Sequence, residues 1–106
     1  TPTYRVTGPL IAAATWVTRE GERSLQVSPT DALRGSQDAD VARRAWQEVL
    51  GKAPDADTPG MLDQFVCHAQ FASQKAAWFL EPRRPAVGYT KTVRAGCNPG
   101  DVQDGG

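Results

Sequence analysis

The sequence has few of the residues from which most active sites are built. Its 106 residues include two cysteines and one histidine, too few for the Cys-rich sites typical of structural zinc. Neither GxGxxG nor GxxxxGK[ST] occurs, so no Gly-rich phosphate loop is indicated. GxSxG and HExxH are missing as well, which excludes two common hydrolase arrangements. We therefore expect no metal site and no cofactor.

Long apolar runs are also missing. No stretch approaches the roughly 20 residues of a membrane helix, so no membrane span is predicted. No secretion signal opens the chain, but "TPTY" resembles a trimmed start, so we expect a lost export signal. A hydrophobic fraction of 40% is enough for one packed core. The length predicts a single domain over residues 1–100, followed by a disordered tail over 101–106.

Charge is balanced overall but unevenly distributed. Residues 75–97 carry five Lys or Arg against one Glu, whereas the segments on either side are acidic. Such a cationic segment can attract an anion, although a solvated face is the simpler interpretation. A net charge of zero does not indicate a dedicated nucleic-acid-binding protein.

The N-terminal third has strand-like patterns. "TYRVTGPLI" predicts a strand that stops at Gly8-Pro9, since proline cannot donate to a ladder. "ATWVTREGERSLQV" predicts a hairpin with Gly21-Glu22 as its turn, and a turn shifted by one residue is also compatible. The first register pairs Trp16 with Val27, Thr18 with Leu25, and Glu20 with Arg23. "SPTDALRGSQD" is expected to be a loop.

Two helices are predicted in the middle of the chain. Asp38 is a favourable N-cap for the first, which has apolar residues at helical spacing, and Gly51 ends it. The second begins with Thr58 as its cap and Pro59 in its first turn, and it extends to about Ala76.

The last part of the chain is again strand-like. "AWFLEP" predicts a strand closed by Pro82, and the alternation in "YTKTVRA" predicts a final strand. Strands, two helices and further strands predict an α+β fold. Its small antiparallel sheet would combine the N-terminal hairpin with the C-terminal strands, and the two helices would pack on one face.

The two cysteines leave two interpretations open. Cys67 and Cys97 could form one disulfide that ties the second helix to the end of the last strand. Closing a loop of this length would contribute about 3–4 kcal/mol by the chain-entropy estimate. Alternatively, both are buried thiols in a reducing compartment. A disulfide would indicate an exported protein, because cytosolic disulfides are rare.

His68 is the side chain that titrates near neutral pH without assistance. It could act as a general acid or base with Glu81, while Arg83, Arg84 and Lys91 hold a phosphate. The alternative is a structural histidine packed beside the apolar stripe of its helix. Whether the protein is an enzyme stays open.

The "LEPRRP" segment has a restricted backbone. Pro82 and Pro85 fix their own φ angles and restrict the residues before them. Arg83 and Arg84 are thereby held extended, which suits bidentate binding of a carboxylate or phosphate. A structural role, with an arginine bound to backbone carbonyls or to Asp63, is equally compatible.

Three sequence features together resemble a known family. "QFVCH", "WFLEPRRPAVG" and "CNPG" are similar to the secreted bacterial domain of unknown function 2599, and the likeness extends from about Trp16 to Gly100. The resemblance implies export from a bacterial, commonly actinobacterial, cell and a Cys67–Cys97 bridge. It implies no activity. It singles out these positions for testing: Gln64, His68, Trp78, Glu81, Arg83 and Pro85.

Three hypotheses about function follow. The favoured one is an exported binding module that contacts a protein or cell-envelope component. Its binding residues would be Arg83, Arg84, Lys91, Gln64 and Trp78. The alternative is a secreted antibacterial toxin, such as a metal-independent nuclease that uses His68 and Glu81, and nucleic acid is a partner only there. The third is a structural extracellular domain of a longer chain. The sequence does not indicate an oligomeric state.

Overall fold

A computed structural model describes residues 9–36 and 38–99. Within them the elements are β1 (Ile11–Arg19), β2 (Glu22–Pro29), α1 (Asp31–Arg34), α2 (Ala39–Lys52), a 3₁₀ turn (Pro54–Ala56), α3 (Met61–Phe71), β3 (Trp78–Leu80) and α4 (Tyr89–Arg94). The strands form one antiparallel sheet in the order β1-β2-β3. The predicted α+β class is confirmed. The strand predicted before Gly8 and the tail predicted over 101–106 lie outside the described residues.

The hairpin turns one residue earlier than its first predicted register. Arg19 pairs with Glu22, so the turn residues are Glu20 and Gly21, and the Gly21-Glu22 turn is wrong. Trp16 accordingly faces Leu25 instead of Val27. Glu20 and Gly21 have φ angles of 54° and 79°, as in a type I′ turn, whose twist matches that of the strands it joins.

The core lies between one face of the sheet and the helices α2 and α3. Leu25 and Val27 of the central strand β2 are completely buried. Phe65 of α3 packs against Trp46 of α2 and Trp78 of β3, with ring centroids 5.4 and 5.6 Å apart. The two helices contact each other and the sheet, as predicted. Aromatic packing of this kind adds to the area buried.

Helix α2 begins as predicted. The Asp38 carboxylate accepts a hydrogen bond from the Asp40 backbone N–H at 2.8 Å, which satisfies one donor of the first turn. The helix continues through Gly51 to Lys52. Before it, the segment predicted as a loop contains the short helix α1.

Helix α3 is shorter than predicted at both ends. It begins at Met61, after Gly60, and it ends at Phe71, so the predicted start at Thr58 and end near Ala76 are wrong. Gly60 has a φ of +88°, and a Cβ there would lie 3.2 Å from the Cα of Ala86. Glycine therefore allows the loop after β3 to approach the start of this helix.

The segment that follows α3 is held by Arg34 from α1. Its guanidinium donates to the carbonyls of Ser73 and Ala76 at 3.0 Å and also to the carbonyl of Lys75. A charged group that binds several carbonyls fixes this part of the backbone outside the helix. Helix α1, which the sequence pattern missed, thus positions the loop that carries Lys75.

The segment predicted as a final strand is the helix α4. Tyr89 and Val93 fall on one face of a helix as well as on one face of a strand, so alternation over seven residues does not separate the two structures. The Thr92 side chain is buried, and its hydroxyl donates to the Gly88 carbonyl at 2.8 Å. Helix α4 packs against α3.

A disulfide joins Cys67, in the middle of α3, to Cys97, just after α4. The predicted bridge is therefore present, although it links α3 to the turn after α4 instead of to the end of a strand. It holds the chain after α4 against α3. Among the described residues, no helix is long and apolar enough to cross a membrane.

Candidate functional site: a cationic groove beside His68

The segment after β3 is fixed to α3 by Gln64. The Gln64 side chain is completely buried. Its Nε2 donates to the Glu81 carbonyl at 2.9 Å, and its Oε1 accepts from the Glu81 backbone N–H at 2.8 Å. A single amide thereby satisfies both backbone groups of Glu81. Gln64, predicted as a binding residue, is placed where it positions this segment.

The Glu81 carboxylate is buried in an ion pair. Arg84, also buried, donates from Nε to Glu81 Oε1 at 2.7 Å and from NH1 to the Pro99 carbonyl at 3.3 Å. A buried carboxylate needs such a partner, because desolvation of an unpaired charge is costly. Arg84 therefore also ties the "EPRRP" loop to the segment after Cys97.

Two further arginines approach the same carboxylate from the surface. Arg83 lies 3.7 Å from Glu81 Oε1, and Arg19, at the end of β1, lies 3.8 Å from Oε2. Both are substantially exposed. The Arg19 guanidinium also stacks 3.9 Å from the ring centroid of Phe79, an arrangement that fixes the orientation of its plane. One carboxylate thus faces three guanidinium groups.

His68 lies one turn after Gln64 on α3 and is 7% exposed. Its Nδ1 lies 2.7 Å from the Gln64 backbone carbonyl, which can only accept, so Nδ1 carries the proton and donates. Burial, together with the charges of Lys75 and Arg84, lowers the pKa of His68 below its usual 6.5, despite the opposing hydrogen bond to Gln64. The ring is therefore neutral at pH 7, with Nε2 as an acceptor.

Three neighbouring depressions surround these residues and form what we call the cationic groove. The first, of about 200 Å³, lies at Arg83 and Glu81; the second, of about 290 Å³, lies at His68 and Phe79. The third, of about 310 Å³, extends to Phe71. Asn98 lines all three. The side chains that define the groove are Arg19, His68, Lys75, Phe79, Arg83 and Asn98, with Phe71 on its rim.

The electrostatic character of the groove follows from a net excess of cations among its described residues. Arg84 is matched by Glu81, whereas Arg19, Lys75 and Arg83 are cationic side chains at the surface of the same depressions. Glu20 supplies an acidic group at one end. A concave surface with an excess of one charge attracts ligands of the opposite charge.

The structure brings together some of the predicted site residues and separates others. Arg83 and His68 line the groove, and Glu81 and Arg84 form its buried support. Trp78 is a core residue, 1% exposed, whose Nε1 donates to the Ala72 carbonyl at 2.9 Å. Lys91 is exposed on α4 and is not among the groove residues. Its predicted binding role has no geometric support here.

The sequence patterns missed four of the six residues that define the groove, Arg19, Lys75, Phe79 and Asn98, and also Phe71 on its rim. Arg19 is distant in sequence and reaches the groove through the pairing of β1 with β2. Lys75 belongs to the cationic segment 75–97, and Asn98 belongs to "CNPG", so each carried a weak signal. Among the described residues there is no group of three or more side chains that could hold a metal ion.

The groove can bind an anion through its cationic side chains. It also offers one neutral hydrogen-bond acceptor, the Nε2 atom of His68. Glu81 is engaged by Arg84, which leaves the carboxylate little freedom to exchange protons with His68 or a substrate. His68 has one ring nitrogen committed to the helix. Among the groove residues that the structure describes, no nucleophile is paired with an oriented base, the arrangement that marks covalent catalysis.

Comparison with known proteins places the chain in a family. The family described as protein of unknown function (DUF2599) matches residues 11–100. The chain belongs to this family. The match includes every residue of the cationic groove, so the DUF2599 domain contains both the groove and the disulfide.

Curated relatives of this DUF2599 chain occur in mycobacteria. It is 46% identical over 68 residues to uncharacterized proteins of Mycobacterium tuberculosis and Mycobacterium bovis, a match over 60% of the chain and 46% of each relative. An uncharacterized protein of Mycobacterium leprae is 43% identical over 67 residues, covering 59% of the chain and 54% of that protein. The chain thus spans about half the length of these relatives. No solved structure matches the chain.

Proposed function

We propose that this domain is an exported binding module that holds an anionic partner, a protein or a cell-envelope component, in the cationic groove. One observation carries the proposal: Arg19, Lys75 and Arg83 line neighbouring depressions, while Glu81 is paired most closely with the buried Arg84. The cationic excess is therefore available to a ligand. Arginine guanidinium groups suit carboxylates and phosphates.

Two features support binding over catalysis. The Glu81 backbone is held by Gln64 and its carboxylate by Arg84, so the residue has a structural role. The Arg19 guanidinium is oriented by Phe79. Side chains held in place before the ligand arrives lose less conformational entropy on binding.

Export is supported by the Cys67–Cys97 disulfide. Structural disulfides persist in oxidising environments and are rare in the cytosol. The proposed site of action is therefore the cell envelope or the exterior of the cell. Fractionation of a producing cell checks this, and oxidised protein found in the cytosol alone would contradict it.

The test of binding is removal of groove charge without damage to the fold. We choose Lys75→Gln with Arg83→Gln, since both side chains are exposed. Arg84 is left unchanged because it is the buried partner of the Glu81 carboxylate. Titration calorimetry with short oligomers of glutamate and of galacturonate should show binding by the wild type and a loss of about tenfold, near 1.4 kcal/mol, in the double variant.

The matched control removes the same charge outside the groove. Arg44→Gln with Lys91→Gln alters two exposed cations of α2 and α4 and should leave the affinity within about twofold. Equal weakening in both double variants would show that binding follows net charge alone. Absence of wild-type binding to both oligomers would overturn the proposal.

A toxin with enzymatic activity is the second candidate, and the geometry of His68 favours it. A neutral, buried imidazole with its Nε2 beside cationic side chains is suited to accept a proton from an anionic substrate. Expression in a bacterial host, in the cytosol and in the periplasm, should then arrest growth, and folded His68→Asn should not. Growth unaffected by folded wild-type protein in both compartments would eliminate this candidate.

A further inference from the structure

His68 gives the groove an acceptor where a simple anion site has donors alone. The side chain is 7% exposed, and its Nδ1 is committed to the Gln64 carbonyl. Among the described residues, Nε2 has no hydrogen-bond partner. His68 lines two of the depressions, so Nε2 is the ring nitrogen that remains for a ligand there.

This acceptor selects among anions. A carboxylate or a phosphodiester presents only acceptor oxygens. When such an oxygen faces Nε2, neither acceptor gains a hydrogen bond. A ligand that suits Lys75 and Nε2 together must carry a hydrogen-bond donor next to its negative charge. An acidic peptide of glutamate or aspartate offers no such side-chain group.

A second acceptor lies a short distance along the groove. Asn98 donates from Nδ2 to the Gly96 carbonyl at 3.3 Å. Among residues 9–36 and 38–99, its Oδ1 has no hydrogen-bond partner. Since Asn98 lines all three depressions, a ligand in any of them meets this acceptor as well as the cations.

An apolar face completes the groove. Phe71 is 66% exposed on the rim of the third depression, a high exposure for a large aromatic ring. Each depression, at 200 to 310 Å³, is at or below the lower limit of about 300 Å³ for small-molecule sites. Each is therefore sized for one ring of a chain, with Phe71 as an apolar platform at the end.

We infer that the anionic ligand of this groove is an acidic saccharide, whose rings carry hydroxyl donors beside carboxylate or phosphate groups. This inference rests on the proposed binding function and narrows its partner to one class. The anionic groups bind Arg19, Lys75 and Arg83, and ring hydroxyls donate to His68 Nε2 and Asn98 Oδ1. The face of a terminal sugar ring that presents C–H groups packs on Phe71.

The test compares ligands of matched charge with and without hydroxyls. Calorimetry with trigalacturonate and with triglutamate, whose terminal amine and carboxylate are blocked, should give at least about tenfold tighter binding of the saccharide. Glucose 6-phosphate against methyl phosphate makes the same comparison for a phosphate group, and comparison of the two saccharides shows which anionic group the groove prefers. Preference for the hydroxylated member of either pair supports the inference.

Two variants of His68 test the acceptor itself. His68→Asn retains an amide N–H near the position of Nδ1 and removes the acceptor at Nε2. His68→Gln places an amide oxygen near Nε2. Near-UV circular dichroism confirms that each is folded. We expect His68→Asn to weaken trigalacturonate binding about tenfold, His68→Gln to restore part of it, and triglutamate binding to be unchanged in both.

The outcomes separate this inference from the function on which it rests. Equal binding of trigalacturonate and triglutamate, unaffected by His68→Asn, would overturn the saccharide and leave an anion-binding module. No binding of any probe would overturn both. Tighter binding of a single-stranded oligouridylate than of trigalacturonate would also overturn the saccharide, in favour of RNA.

Discussion

The side-chain amide of Gln64 pairs with both backbone polar groups of Glu81, at 2.9 and 2.8 Å. Glu81 directly follows β3, and the Gln64 amide gives its backbone the hydrogen bonds that a neighbouring strand would otherwise supply. It fixes Glu81 relative to α3, and the backbone carbonyl of the same Gln64 fixes the His68 ring. One buried residue therefore sets the relative positions of the histidine and the arginine cluster.

Replacement of Gln64 by leucine should destabilise the protein strongly. The change leaves the buried Glu81 N–H without a partner and removes one of the two donors to the Glu81 carbonyl, which keeps the Arg84 N–H at 3.1 Å. We expect a loss of about 2–3 kcal/mol in the free energy of unfolding. Urea denaturation measures it. Gln47→Leu, the same change at an exposed position of α2, should alter stability by no more than about 0.5 kcal/mol. Similar losses in the two variants would contradict a specific role for Gln64.

Arg84 and Arg83 are adjacent and should differ sharply in their contribution to stability. Arg84→Ala leaves the buried Glu81 carboxylate without its closest partner, and we expect a loss of about 3 kcal/mol, because Arg19 and Arg83 compensate only in part. Arg83→Ala should change stability by about 0.5 kcal/mol or less, because its side chain is exposed.

Thermal unfolding of both variants measures the difference. Arg84→Ala combined with Glu81→Ala supplies a check, since it removes the buried charge together with its partner. The double variant should be more stable than Arg84→Ala alone. A double variant less stable than Arg84→Ala would show that the unpaired carboxylate is not the source of the loss.

His68 should make the protein less stable in mild acid. Burial holds the folded-state pKa below the unfolded value of 6.5, so the unfolded chain binds more protons than the native state between these two values. Stability is therefore complete above about pH 6.5 and falls as pH decreases toward the folded pKa. Lys75 and Arg84 enhance this effect, and Glu81 opposes it.

Denaturation of wild type and His68→Asn between about pH 7 and pH 5 isolates this contribution. Carboxylates titrate in both proteins, so the difference between the two curves reports His68. We expect the wild type to lose more stability than the variant over this interval. Parallel curves would mean that the imidazole is protonated equally easily in the folded and unfolded states.

Reduction of the Cys67–Cys97 bond should affect both stability and the groove. The bond spans 30 residues, and its loss should cost about 3–4 kcal/mol by the chain-entropy estimate. Because Asn98 follows Cys97 directly, the groove wall should also become mobile. Hydrogen exchange near residues 96–99 in the Cys67→Ala, Cys97→Ala double variant measures this, and protection equal to that of the oxidised protein would refute it.

Much of the architecture was predictable because local patterns and tertiary packing agree. The apolar spacing after Asp38 identifies α2, and the alternation around Gly21 identifies the hairpin. The disulfide was one of two open interpretations. The final helix was mispredicted, since seven alternating residues also satisfy helical spacing and packing against α3 decides between the two.

The candidate site was predictable only in part. Gln64, His68, Glu81 and the two arginines lie within one short stretch, and their proximity in the fold follows from the turn between α3 and β3. Their individual roles did not follow, because the sequence does not indicate which guanidinium is buried against Glu81 and which faces solvent. Arg19 was missed because its position depends on the sheet.

By itself, the sequence determined the family, the α+β class, the cysteine pair and the cationic character of residues 75–97, because each depends on residue type and local spacing. Tertiary structure alone decided the groove. Pairing of β1 with β2 sets Arg19 beside Phe79, the bridge brings Asn98 to His68, and burial assigns Arg84 to Glu81. The first two contacts join residues far apart in the chain, and the energies of all three depend on burial that exists only after folding.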